Sequence, residues 1–144
     1  MSLHKEIHFE TDICDALHAQ GWLYAEGDAS HYLAARALYP DDLLAWVEAT
    51  APDAWKTLVK LHGNKAREVL LARTRDSLND LGTLDALRKG IEIVGLKHRL
   101  KLAEFKPALA LNPDILARYA ANRLRVVRQV RHSIQGDDAI DLVL

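Results

Sequence analysis

The sequence predicts an α+β fold, with helices through the first two thirds of the chain and strands at its end. Apolar residues recur every three or four positions from Phe9 to about Ile91, the spacing of helices that bury one face. From Arg123 onward the period becomes two, as in a half-buried strand. Gln135-Gly136-Asp137-Asp138 then predicts a hairpin turn, followed by a returning strand from Ala139 to Leu144.

The first helix is predicted from the repeat of Phe9, Ile13 and Leu17, with Gly21 as its stop. A mainly helical insertion follows, from about residue 30 to residue 96. Two of its helices open with a proline followed by acids, a pattern that fixes φ and suits the positive end of the helix dipole. The predicted helices of this insertion cover 31–38, a segment from Pro40, a segment from Pro52, 64–81 and 84–91.

The second half of the chain is predicted to hold strands and one helix. Arg99 to Phe105 alternates like a strand, although the alternation slips at Ala103. Asn112 is predicted to cap a helix that has Pro113 in its first position and runs to about Ala120. Two hairpin strands are predicted over residues 122–144, and we expect their sheet to be incomplete at Leu144.

Composition narrows the class of protein. The 144 residues fit one domain, and 49% hydrophobic with 27% charged residues is typical of a globular chain. No apolar run approaches the 18 residues of a membrane span, and the N-terminus lacks the apolar stretch of a signal peptide. Cys14 is the only cysteine, which predicts no internal disulfide, a cytoplasmic location and a buried packing role for the thiol.

The net charge of −1 conceals two segments of opposite sign. Residues 1–55 carry ten acids and two bases, whereas residues 97–131 carry nine bases and two acids. A basic segment of this kind suits phosphate groups or an acidic partner. The alternative is that these cations solvate a strand face or pair with the acidic front of the chain. The candidates for phosphate contact are Arg123, Arg125, Arg128 and Arg131.

Asp141 is the acid that most needs an explanation. It lies between Ile140 and Leu142 on a strand that we expect to be at least half buried. A buried carboxylate is costly unless it is paired, hydrogen-bonded or bound to a metal. An outward-facing acid on an exposed strand face is the simpler alternative.

Four stretches of the chain resemble the start of the R subunit of type I restriction enzymes. They are FETDICDAL from Phe9, GWLYAEG from Gly21, LKLAEFKPA from Leu100 and NPDILARYAANRLRVVRQVR from Asn112. The resemblance runs over nearly the whole chain and includes the insertion helices. It implies the opening part of a Mg²⁺-dependent nuclease domain with the restriction-endonuclease-like PD-(D/E)xK fold.

The resemblance also implies roles for individual residues and partners. Asp141 corresponds to the metal-binding acid, and Glu10 to the supporting acid on the first helix. The expected partners are double-stranded DNA and the modification and specificity subunits of a type I complex. ATP is expected only at motor domains further along such a protein. The family places Glu-x-Lys on the strand after Asp141, and no such motif follows it here, so we expect these 144 residues not to cleave DNA.

Three other patterns do not carry chemistry. Glu104-Phe105-Lys106 has Glu-x-Lys spacing but precedes Asp141, so a solvated strand end is predicted there. Gly90 to Lys97 imitates a phosphate loop, but Leu96 occupies the lysine position. His4 and His8 share a helix face without a third ligand.

Two further classes of function stay open on the sequence. One is a non-catalytic α+β module that docks on another protein through its acidic and basic halves. The other is a nuclease of the same fold from a different defence or repair system. Glu-x-Lys in a longer reading frame, followed by a nucleotide-binding motif, would favour the type I assignment over both.

Overall fold

The computed structural model describes the backbone of residues 3–131 and 139–144 and the side chains of residues 5–130 and 142–144. These residues contain six α-helices and two strands, which confirms the predicted α+β class. The elements are α1 (Leu3–Ala19), α2 (Pro40–Thr50), α3 (Pro52–His62), α4 (Ala66–Leu81), α5 (Thr83–Lys89), α6 (Pro113–Ala120), β1 (Val127–Arg131) and β2 (Ala139–Val143). No helix among the described residues has both the length and the apolar character needed to cross a membrane.

The chain divides into two compact units. The terminal unit comprises Met1–Ala35 and Arg123–Leu144, and the helical unit comprises Arg36–Asn122. The core of the helical unit combines residues of α2 to α5 with residues of the segment that follows α5. Its fully buried members include Val47, Leu58, Leu70 and Ile91.

The helices of this unit begin and end where local signals predict. Pro40 and Pro52 are the first residues of α2 and α3, where the missing N–H group of proline costs no hydrogen bond. Asn112 caps α6, and its Oδ1 accepts hydrogen bonds from the backbone N–H groups of Asp114 (2.9 Å) and Ile115 (3.4 Å). These predictions are confirmed.

Gly90 is required by the backbone after α5. Its φ is +76°, and a Cβ at this position would lie 2.7 Å from the carbonyl oxygen of Leu100. The close approach allows Ile91 and Leu100 to exchange backbone hydrogen bonds of 2.9 and 2.8 Å. This pair is an isolated bridge, so the strand predicted over residues 99–105 is wrong.

In the terminal unit, the buried face of α1 is shifted from the predicted stripe, of which Ile13 and Leu17 are half-buried. Glu10 and Cys14 are buried, whereas Phe9 is exposed over 63% of its surface. The helix itself is confirmed. The buried thiol of Cys14 also confirms the predicted packing role.

The two strands pair antiparallel. Arg128 lies opposite Leu142, and Val130 lies opposite Ile140. Ahead of β1, the N–H of Leu23 donates to the carbonyl of Leu124 (2.7 Å), and the N–H of Val126 donates to the carbonyl of Leu23 (3.1 Å). The regular strand therefore begins four residues later than the predicted start at Arg123. The predicted turn at 135–138 lies outside the described residues.

The helix predicted over residues 31–38 is also wrong. Residues 31–38 are not an α-helix, because a short 3-10 turn at Asp28–His31 is followed by turns, and Ala37 has a φ of +52°. A left-handed residue cannot continue a right-handed helix. Tyr39 precedes Pro40, a position that also disfavours helical backbone.

Candidate functional site

Glu10 is the centre of a buried polar cluster in the terminal unit. It lies on α1 one turn before Cys14 and is only 6% exposed. A carboxylate at this depth must be paired or hydrogen-bonded, since burying it alone would be costly. Both of its oxygens are bound by side chains of β1.

Arg128 of β1 is the charged partner of Glu10. Its Nη2 lies 3.0 Å and its Nε 3.3 Å from Oε2 of Glu10. Its Nη1 donates to the hydroxyl of Thr11 at 3.2 Å. A hydrogen bond with Tyr24 raises the pKa of Arg128, burial lowers it, and the bond to Glu10 raises it again, with a net upward shift. The guanidinium is therefore held in its charged form.

Gln129 supplies the second contact to the same carboxylate. Its Nε2 lies 3.1 Å from Oε1 and 3.2 Å from Oε2 of Glu10. The backbone of Gln129 has a φ of +54°, a conformation that non-glycine residues rarely adopt within a strand. Strain of this kind persists only where its surroundings hold it, and it concentrates at functional sites.

The register places position 141 across from Gln129. The pairs on either side, Arg128 with Leu142 and Val130 with Ile140, bracket these two positions on β1 and β2. Gln129 therefore contacts Glu10 from the strand position that lies opposite Asp141. The side chain of Asp141 lies outside the described side chains.

A second ion pair stands beside the first. Nη1 of Arg125 lies 2.6 Å from Oδ2 of Asp28, and both side chains are largely buried. Asp28 also accepts a hydrogen bond from the N–H of Ala25 at 3.0 Å. Residues 24–29 and β1 together border a half-open cavity of about 320 Å³ that is lined by Tyr24, Ala25, Glu26, Gly27, Asp28, Ala29, Arg128 and Gln129.

Cys14 does not add a nucleophile to this cluster. Burial raises the pKa of its thiol, and the nearby charge of Arg128 only partly opposes that shift. The thiolate is the reactive form of cysteine, so a raised pKa keeps Cys14 in the inert thiol form near neutral pH.

The structure brings together some of the predicted site residues. Arg125 and Arg128 both have acidic partners within the terminal unit. The alternative interpretation, in which the basic residues pair with the acids of residues 1–55, is therefore confirmed for these two arginines. The contacts of Arg131 lie outside the described side chains. The assignment of the four arginines to phosphate binding stays a prediction.

Among the side chains that the structure describes, no three His, Cys, Asp or Glu lie together as metal ligands do. Glu10 offers one carboxylate, and Arg128 and Gln129 already bind its two oxygens. Mg²⁺ prefers oxygen ligands that are free to coordinate it. A metal at this end of the unit would thus depend on an acid other than Glu10.

Sequence reasoning missed Gln129, Asp28 and Tyr24 as members of the cluster. Gln129 lies within a segment whose period of two predicts only a strand, and Asp28 and Tyr24 lie in a stretch without helix or strand periodicity. Their partners are 97 to 119 positions away along the chain. No local pattern signals contacts at that separation.

Glu104 is not at a solvated strand end, so that prediction is wrong. It is buried, and its carboxylate accepts hydrogen bonds from Arg118 Nε (3.0 Å) and Lys101 Nζ (3.3 Å). Asn122 accepts from the N–H of Glu104 at 3.0 Å and donates to its carbonyl at 2.6 Å. Burial raises the pKa of Glu104, but the bonds from Arg118 and Lys101 outweigh it and lower the pKa below its ordinary value.

Comparison with models of protein families, with curated proteins and with solved structures finds no match to this chain. The resemblance to type I R subunits therefore rests on the residues of the sequence alone.

Proposed function

We propose that the chain is the N-terminal part of the nuclease region of a type I restriction enzyme R subunit, with the PD-(D/E)xK fold. One observation carries the proposal. The helix acid Glu10 is buried and hydrogen-bonded to Gln129, and Gln129 lies opposite position 141 in the register of β1 and β2. The two acids that the resemblance selects are thus on elements that both contact β1: α1 through side-chain hydrogen bonds, and β2 through backbone pairing.

In this proposal Asp141 binds the metal and Glu10 is a positioning residue. When bound, Mg²⁺ would neutralise the charge that develops on the scissile phosphate and activate water. Glu10 holds Arg128 and Gln129 in place, and through Gln129 it supports the strand that faces Asp141. This role agrees with its two occupied oxygens, which leave it poorly suited to bind the metal directly.

The first test uses Mn²⁺ in place of Mg²⁺, because Mn²⁺ broadens the NMR signals of nearby nuclei. We expect Mn²⁺ to broaden amide signals of β1 and β2, and we expect Asp141→Asn to abolish most of that effect. Asp137→Asn is the matched control, since it removes one nearby acid in the sequence and should leave the broadening intact. Equal broadening in the Asp141→Asn variant would contradict the assignment of the metal to this acid.

The second test is plasmid cleavage. We expect the 144 residues with supercoiled plasmid and Mg²⁺ to show no nicking above a metal-free control, because no Glu-x-Lys follows Asp141. Without a second carboxylate and the lysine, the site lacks the groups that complete Mg²⁺ binding and orient the attacking water. Strong cleavage that disappears in Asp141→Ala would show that the residues present already form a complete site.

In this proposal the DNA partner is double-stranded, and the modification and specificity subunits provide recognition. ATP would act at motor domains and not within these residues. Phosphate contacts from the basic residues would give a DNA affinity that falls steeply with salt. Arg125 and Arg128 would have to exchange their acidic partners for phosphate.

A second candidate is a non-catalytic module that docks on another protein. The observation that favours it is the apolar surface around α6, a helix with no buried residue. Leu109 and Leu111 just before it are 70% and 82% exposed. Duplex DNA affinity that falls with salt would favour the nuclease, whereas affinity for a protein alone would favour the docking module.

A further inference from the structure

The helical unit contains a cavity that the nuclease proposal does not use. Its volume is about 760 Å³, within the range of small-molecule sites. Part of its wall is apolar and comes from Ala51 and Ala54 at the start of α3 and from Leu96 and Leu100 in the segment after α5. An apolar wall of this size can cover the body of a small organic molecule.

Most of the charged residues in the rest of the lining are cations. Lys97, Arg99, Lys101 and Arg118 line the cavity, and Asp53 is the one carboxylate among its lining residues. Lys97 forms no ion pair within the described part of the chain, Arg99 pairs with Glu92, and Lys101 and Arg118 share a single carboxylate on Glu104. The cavity therefore retains positive charge that an anionic ligand would neutralise.

The start of α3 adds to the positive electrostatic potential of the cavity. Ala51 is its N-cap and provides no side-chain hydrogen bond, and Pro52 follows with no N–H group. The partial positive charge at the helix N-terminus is therefore not offset by a capping side chain. Asp53 opposes that charge from the first turn, which makes it the natural residue to alter in a test.

Residues 95–101, which carry Lys97, Arg99 and Lys101, are held in place before any ligand binds. The indole N–H of buried Trp46 donates to the carbonyl of Lys101 at 2.9 Å. At the other end, Gly95 has a φ of +98°, a left-handed conformation that favours glycine, and it lies against the side chain of Leu61. A site whose backbone is already ordered loses less conformational entropy when it binds.

We propose that this cavity binds a small organic anion that has an apolar body and a phosphate or carboxylate group. The group lies near Lys97 and the start of α3, and the body lies against the alanine and leucine wall. This inference does not depend on the nuclease proposal, because its residues all belong to the helical unit.

An NMR titration of the 144-residue protein tests it with four probes: hexyl phosphate, hexanoate, hexanol and inorganic phosphate. We expect the two amphipathic anions to shift the amide signals of residues 50–57 and 95–101, with the tighter of the two identifying the preferred group. Hexanol lacks the charge and inorganic phosphate lacks the body, so each should bind at least about tenfold more weakly than the preferred anion.

Three variants make the test specific. Lys97→Glu should weaken binding of the preferred anion by at least about tenfold, because one charged contact is lost and a repulsive carboxylate is added. Asp53→Asn should strengthen it by about twofold to threefold, because a repulsive carboxylate is removed. Lys60→Glu is the control, since it makes the same change on α3 outside the lining and should leave the affinity within about twofold.

Circular dichroism and thermal melting will show that the variants are folded. If Lys97→Glu alone proves unfolded, Asp53→Asn still decides the question. Hexanol binding as tightly as the anions, or affinities unchanged in both pocket variants, would overturn the proposal. Shifts of these residues by duplex DNA but by none of the four probes would overturn it equally.

Discussion

Replacing Arg128 with methionine is expected to destabilise the terminal unit by about 3 kcal/mol. Arg128 is the charged partner of Glu10, and their side chains are only 20% and 7% exposed. Removing one member of a buried pair leaves the other charge without compensation, which is among the costliest single changes in a folded protein. Gln129 would still contact Glu10, but a neutral amide cannot balance its charge.

Native-state hydrogen exchange is the measurement, because it reports the opening free energy of each segment separately. The amides of α1 and β1 should lose protection, whereas those of α3 and α4 should keep it. Arg67→Met is the matched control. Arg67 pairs with Asp41 at 3.6 Å with both side chains exposed, so its loss should cost less than about 1 kcal/mol.

A double variant separates charge from packing. Glu10→Gln combined with Arg128→Met removes both charges, and we expect it to recover part of the stability that Arg128→Met loses. Unchanged protection of α1 in the single variant would show that this ion pair does not hold the helix to β1. In that case the positioning role of Glu10 would lose its basis.

Glu104→Gln is expected to destabilise the helical unit by about 1–2 kcal/mol at pH 7, where its carboxylate accepts charged hydrogen bonds from Arg118 and Lys101. The same bonds lower the pKa of Glu104 in the folded protein. Because the folded pKa lies below the unfolded value of about 4.3, the stabilisation is present above that value and is lost as pH falls through the folded pKa.

Urea unfolding at a series of pH values measures this effect, followed by tryptophan fluorescence in a Trp22→Phe background so that only Trp46 and Trp55 of the helical unit report. The Glu104→Gln variant should show a flatter loss of stability below about pH 4.3 than the unaltered protein. Glu92→Gln is the control, because Glu92 pairs with Arg99 at 2.9 Å in an exposed position and should contribute less than about 1 kcal/mol. Equal effects of the two substitutions at pH 7 would contradict the importance of burial at Glu104.

Much of the helical unit was predictable because its signals are local. Proline at the first position of α2 and α3 and the cap at Asn112 act within one turn of the chain. On α4, Ala66, Leu70 and Thr74 recur every four residues, and all three are buried. Each signal depends on neighbours within a few residues, so one sequence is enough to read it.

The failures arose where distant contacts decide the backbone. Residues 99–105 alternate like a strand, but only Leu100 finds a bridging partner, at Ile91. On α1, apolar Phe9 is exposed and the acid Glu10 is buried, the reverse of what hydrophobicity predicts. The free-energy cost of burying Glu10 is offset because Arg128, 118 positions away, supplies the opposite charge.

The sequence by itself determined the α+β class, most helix boundaries, the buried thiol of Cys14 and the choice of Glu10 and Asp141 as acids of interest. Tertiary structure alone decided that Glu10 binds Arg128 and Gln129, that Arg125 faces Asp28, and that a cationic cavity opens beside α3. The physical reason is the sequence separation over which each kind of interaction acts. Periodicity, capping and proline geometry act over one or two turns, whereas the pairing of buried charges depends on which distant segments the fold brings within hydrogen-bond distance.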